Sequence, residues 1–229
     1  EYLQLALPAT FLFFAKFVGF EILAVIAIAI GKVDYTCYVL LNNIYLLLTS
    51  INLSFGYATT IITSKYICTK SVNFLKKYWK FNYLFGSSFV ISCTLIIVLF
   101  RKQILSSFIA DEMIVAKASP IMFVFFGLSF FDFTQNTYLN IYRGLRKHMI
   151  AIPIVFLNLF VIQTSYAYSL GMLLKLGTLG VFLGCLFGLF YMSIFYITIW
   201  YYFDLNEIKA TTIMSIKQAD EKLINKENK

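Results

Sequence analysis

The sequence predicts an all-α membrane protein, a single bundle of six transmembrane helices followed by a charged tail. Two observations carry this. Hydrophobic residues make up 60% of the chain and charged residues only 13%, and mean hydropathy is +0.80. A soluble domain is nearer half apolar and a quarter charged. The apolar residues also fall into six long runs, each close to the roughly 20 residues that a helix needs to cross the hydrocarbon.

The first run covers about Leu5 to Ile30 and the second about Tyr38 to Ile62. The third covers about Tyr83 to Phe100 and the fourth about Ala118 to Ile141. The fifth covers about Ile150 to Leu173 and the sixth about Leu179 to Phe203. Short polar segments such as "GKVDY", "RKQ" and "LRKH" separate them. Backbone groups in lipid must bond internally, which leaves helices or barrel strands. These runs are too long and too evenly apolar for alternating strands. The membrane unit is therefore expected over residues 1–203, with residues 204–229 a charged cytoplasmic tail, solvated or lying on the surface. No secretory signal pattern is visible. The chain begins at Glu1, which reads as a fragment or a processed piece.

Lysine and arginine placement predicts orientation. The second connection carries Lys65, Lys70, Lys76, Lys77 and Lys80, the fourth Arg143, Arg146 and Lys147, and the tail five lysines. The opposite side has Lys32, Arg101, Lys102 and Lys175. The basic end is therefore read as cytoplasmic. The net charge of +8 follows from topology, and no nucleic-acid partner is implied. Cys37, Cys68, Cys93 and Cys185 are scattered, and His148 is the single histidine, at a membrane boundary. No metal motif, phosphate loop or nucleophile elbow is present. The sequence implies neither a cofactor nor an enzyme.

Three ionisable side chains lie deep in the apolar runs: Lys16, Glu21 and Asp132. A charge at mid-bilayer costs about 2.5–3.5 kcal/mol, so such groups face the bundle interior, a wet cavity or a partner. Lys16 and Glu21 stand five residues apart, about 140° around a helix, so they do not readily pair with each other. Lys16 is expected to reach an acid on another helix, Asp132 above all, or to be deprotonated. Along "LSFFDFTQNTYLNIYRG", Ser129, Asp132, Gln135, Asn136, Asn140 and Arg143 fall in an arc of about 140°. The stripe reads as a hydrated interior face, with interhelical hydrogen bonding as the competing reading. On the second helix Asn42, Tyr45, Thr49, Asn52, Gly56, Thr60 and Thr63 share a side, with substrate lining and helix packing equally open. Gly177, Gly180, Gly184 and Gly188 of the sixth read as close helix packing.

These residues resemble a known family. "LPATFLFFAKFVGFEILAVIAIAIG" is similar to the seventh helix of the multidrug and toxin extrusion (MATE) family, eukaryotic branch. "FFDFTQNTYLNIYRGLRK" resembles its tenth helix, and "GTLGVFLG" the opening of its last, with Phe182 where Trp is usual. Asn158 and the connection after Ile150 also fall in register. The resemblance covers roughly residues 1–203. It implies the second six-helix lobe of a twelve-helix secondary antiporter. Such a protein exports small organic, cationic or xenobiotic substrates in exchange for protons or sodium by alternating access.

By that resemblance Glu21 and Asp132 occupy the acidic positions of the seventh and tenth helices. They would bind protons, cation or substrate, together with Gln135, Asn136, Lys16 and Asn42. The partners implied are the substrate, the coupling ion, the bilayer, and an N-terminal six-helix lobe or a second copy. The membrane would be the plasma membrane or that of a vacuole or endosome. Two departures stand out. Lys16 replaces a second acid found in many members, and the family's glycine-rich segment after the eighth helix reads "ITSKYICT". A lipid-linked oligosaccharide flippase and a diverged, non-transporting scaffold are the alternatives.

Overall fold

The computed structural model describes residues 2–69, 71–202, 205, 209 and 210, with backbone alone for 2–9, 12, 13 and 148. Most of the charged tail, and the side chain of His148, thus lie outside the described residues. Among the described residues, six long helices form the bundle. They are α1 (Tyr2–Ile30), α2 (Lys32–Tyr66), α3 (Val72–Leu99), α5 (Glu112–Gly144), α6 (Ala151–Leu173) and α7 (Thr178–Tyr201). A short helix, α4 (Arg101–Phe108), links α3 to α5. The sequence reading had placed only polar punctuation there. Arg101 explains why the segment is ordered: its guanidinium donates to Ser119 Oγ (3.0 Å) and to the Val98 carbonyl (3.1 Å).

Helices α2, α3, α5, α6 and α7 are each long and apolar enough to cross a bilayer, and α1 has 29 residues. Phe81, Ile61, Val25, Leu99 and Ile96 are among many large apolar side chains left exposed around the bundle. Apolar area on this scale belongs against lipid rather than water.

Two helices depart from regular geometry. In α5 the chain tightens to a 3-10 turn at Met122–Val124, just after Pro120. In α6 it widens to π-helix over Leu157–Gln163 and again over Ser169–Leu173. Thr164 Oγ1 donates to the Leu159 carbonyl (2.7 Å), five residues back, at the end of the first π stretch. π segments often mark functional sites.

Close approach is built in by glycine where α7 meets α6. A Cβ at Gly180 would stand 2.5 Å from the backbone of Gly171, and one at Gly184 2.4 Å from that of Ala167. These glycines are packing positions, in agreement with their spacing. The α2–α3 turn lacks the family's glycines because α2 simply continues as helix through Tyr66, and Ser71 caps α3 by accepting from Phe74 N–H. Leu205 is buried with Ile67, Leu75 and Trp79, so this residue of the expected tail packs against the bundle.

At the end opposite the lysine-rich connections, one carboxylate ties three helices together. Asp34 of α2 accepts from the Thr178 N–H and hydroxyl (2.8 Å each), and Lys117 of α5 donates to its other oxygen (2.8 Å). The first N–H groups of α7 have no partner within that helix, so Asp34 serves as their cap from a neighbouring helix. Gly177 has φ +62°, and a Cβ there would lie 2.5 Å from Asp34 Oδ1. Neither Asp34 nor Lys117 stands out in the sequence, because both fall at the edges of the apolar runs.

Candidate functional site

Helices α2 and α5 meet along a polar seam. Asn52 Nδ2 donates to Asp132 Oδ2 (2.7 Å), and Asn136 Nδ2 donates back to the Asn52 carbonyl (2.7 Å). One turn on, Asn140 Nδ2 donates to the Asn136 carbonyl (2.8 Å) and Oδ1 (3.0 Å), and Thr60 Oγ1 donates to the Asn140 carbonyl and Oδ1 (3.0 Å each). Gly56 makes room: a Cβ there would come within 2.4 Å of Asn140 Nδ2. Near the lysine-rich end, Trp79 Nε1 donates to Thr63 Oγ1 (2.8 Å). The α5 stripe is thus real, but Asn136 and Asn140 are zipped against α2 rather than hydrated. Their amides each find a protein partner, so packing absorbs them.

Asp132 and Gln135 behave differently. Both line a cavity of about 40 Å³ where α1, α2, α5, α6 and α7 converge. Asp132 is 4% exposed. Its Oδ1 accepts from Gln135 Nε2 (2.9 Å), one turn along the same helix. The carboxyl is therefore oriented by Gln135 and Asn52, while the Asn136 amide turns to the α2 backbone.

Lys16 of α1 also lines the cavity, with Thr49 and Tyr45 of α2, Asn158 and Gln163 of α6, and Cys185 of α7. Lys117–Asp34 is the ion pair found among the described residues. Lys16 and Asp132 share a cavity without direct pairing, so the expected contact is replaced by proximity across it. The π stretch of α6 is what turns Asn158, Leu159 and Gln163 inward together. Gly188 of α7 sets the depth of Gln163, since a Cβ there would lie 2.9 Å from that side chain.

Among the described residues, two buried oxygens on the cavity wall have no hydrogen-bond partner: Gln135 Oε1 and Asn158 Oδ1. An unpaired buried polar atom costs about 1–3 kcal/mol. The arrangement is a small chamber with one carboxyl, one amine and a surplus of acceptor oxygens. It has room for one or a few waters or a small ion, and none for an organic molecule.

Glu21 is not brought to this chamber. It is exposed on the outer side of α1, as the rotation from Lys16 dictates, so the expected interior placement is corrected. Asn42 is half-buried and outside the cavity wall. The sequence reading missed Gln163 and Cys185. Gln163 carried a signal, as an amide within an apolar run; Cys185 carried none.

A family model described as MatE matches residues 8–169, more than half of the chain. A crystal structure of a MATE protein in the straight conformation shares 18% identity at a TM-score of 0.78, covering 91% of this chain and 46% of its own. An inward-facing multidrug resistance MATE family transporter of the MOP superfamily shares 17% identity at a TM-score of 0.69, covering 91% and 48%. No curated protein sequence matches the chain. The chain spans about half the length of the solved proteins it resembles. With its apolar helices, its lipid-type surface and this family match, the chain is an integral, multi-pass membrane protein belonging to the MatE family.

Proposed function

We propose that this bundle is one lobe of a secondary antiporter. The whole exports small organic, cationic or xenobiotic substrates in exchange for protons or sodium by alternating access. The observation that carries the reading is the buried Asp132 carboxyl, held by two amides at the wall of a polar chamber. An ionisable group placed inside a bundle at a cost of several kcal/mol calls for a use. In this reading Asp132 is the exchange site. Protonation neutralises it and relaxes its hold on the cation side of the cycle, and deprotonation towards the cytosol restores the charge. Gln135 and Asn52 keep the carboxyl in one orientation in both states.

The chamber is too small for substrate, so substrate binds elsewhere. We place it on the face of α1 that exposes Glu21, where a second six-helix lobe or a second copy would complete the path. The test is substrate-driven proton movement by the complete protein in vesicles under an imposed pH gradient, using a fluorescent organic cation as probe. Asp132→Asn preserves shape and removes titration, and exchange is expected to fall at least about tenfold, a barrier change of about 1.4 kcal/mol. Exchange at the parent rate would reduce Asp132 to structural polarity and favour a scaffold.

A further inference from the structure

We propose that Lys16 is a tethered cation: its ammonium takes the place in the Asp132 chamber that a free sodium ion would otherwise fill, so the chamber handles protons and excludes sodium. The proposal deepens the exchange-site reading and rests on it.

The chamber's chemistry is that of a hard monovalent cation site. Its polar wall offers the Asp132 carboxyl, the Thr49 hydroxyl, and two oxygens without partners among the described residues, from Gln135 and Asn158. Such oxygens suit a hard ion or an ammonium, and they leave a buried carboxylate short of positive charge. A volume of about 40 Å³ fits a small ion with a water. Yet the chain delivers a cation of its own into the same space. Lys16 of α1 lines it as well, and its amine has three donors and no acceptor.

The charged and titratable groups around Lys16 are few. Asp132 on α5, Tyr45 on α2 and Cys185 on α7 line the chamber with it, and Arg143 acts on it from further along α5. Among the described residues, Asp132 is the one carboxylate on that wall. With both groups charged, the chamber is neutral, and a sodium ion entering would add an uncompensated charge in a low-dielectric space. When a proton from bulk water binds a carboxylate oxygen, Asp132 becomes neutral and Lys16 is left as the cation among the wall oxygens. When the proton leaves, the neutral pair is restored. The cycle is complete with the proton alone.

The test uses the full-length protein in nanodiscs, with sodium chloride as probe against choline chloride at equal ionic strength. The readout is the thermal unfolding midpoint, which senses binding and does not depend on transport. The parent midpoint is expected to be the same in both salts. Lys16→Gln is expected to gain a saturable rise in sodium of about 2–4 °C when sodium stands at about five times its dissociation constant. Lys16→Gln combined with Asp132→Asn is expected to lose that rise. Saturable sodium stabilisation of the parent would overturn the proposal, whether or not the variants fold. So would a folded Lys16→Gln protein indifferent to sodium. Proton-coupled exchange in vesicles tests the exchange-site reading separately: loss of that exchange with the sodium pattern intact would sink the antiporter and leave the tethered cation standing.

Discussion

Asp132 is bonded by one amide from its own helix and one from α2, and these two donors are not equivalent. Gln135 sits one turn along α5, so its position is fixed by helix geometry. Asn52 comes from across the seam, and its backbone carbonyl also receives Asn136. Asn52→Ala would remove the side-chain donor and keep that backbone acceptor. The expected cost is about 1–3 kcal/mol, because Asp132 Oδ2 is then buried without its partner. Reversible unfolding in detergent measures it. A double-mutant cycle with Asp132→Asn is expected to show a coupling above about 0.5 kcal/mol, and additivity would mean that the bond contributes nothing. At this scale the sequence was legible where helix geometry alone decides. The rotation between Lys16 and Glu21, and the stripe around Asp132, follow from 100° per residue. What each stripe residue faces was not legible, because hydration or pairing depends on the opposing helix. Asn136 and Asn140 have the same chemistry as Gln135, yet only Gln135 reaches the chamber.

Among the helices, α6 does most to shape the site and was the least readable. Apolar length announces its span, but nothing in "LNLFVIQ" announces a π turn. Without it, Asn158 and Gln163 would not fall on one side: five residues on a regular helix rotate by about 140°. The wider turn, with the Thr164 bond to Leu159, brings both inward. This geometry is held from outside by α7, whose glycines let it lie against the α6 backbone. The consequence is testable. Gly184→Ala would place a Cβ 2.4 Å from the Ala167 nitrogen, and backbone cannot step aside as a side chain can. Destabilisation of about 1–3 kcal/mol is expected from the overpacking, read as a lower unfolding midpoint. An unchanged midpoint would mean that α6 and α7 lie further apart than described.

Across the whole molecule, the two ends of the bundle are built on different principles. The Asp34 end is closed by a single carboxylate joining α2, α5 and α7. The lysine-rich end is closed by aromatic rings, with Trp79 edge-on to Trp200 at 5.3 Å between centroids. Trp and Tyr gather where bilayer meets water, and lysines concentrate on the cytoplasmic side. The six-helix plan was readable because lipid imposes one length and one bonding rule on every span. The Asp34 closure was not, since its three contributors are far apart in sequence and each looks like ordinary boundary polarity. The two ends together predict sidedness. In a cysteine-free background, Ser71→Cys lies between α2 and α3 at the lysine-rich end, and Ser106→Cys lies in α4 at the other; both sites are exposed. A membrane-impermeant maleimide applied to intact cells is expected to label Cys at 106 and spare 71, with 71 labelled only after permeabilisation. For a protein of the plasma membrane, the reverse pattern would place the lysines outside. It would also put the Asp34 closure on the cytoplasmic side, because that carboxylate stands at the end opposite the lysines.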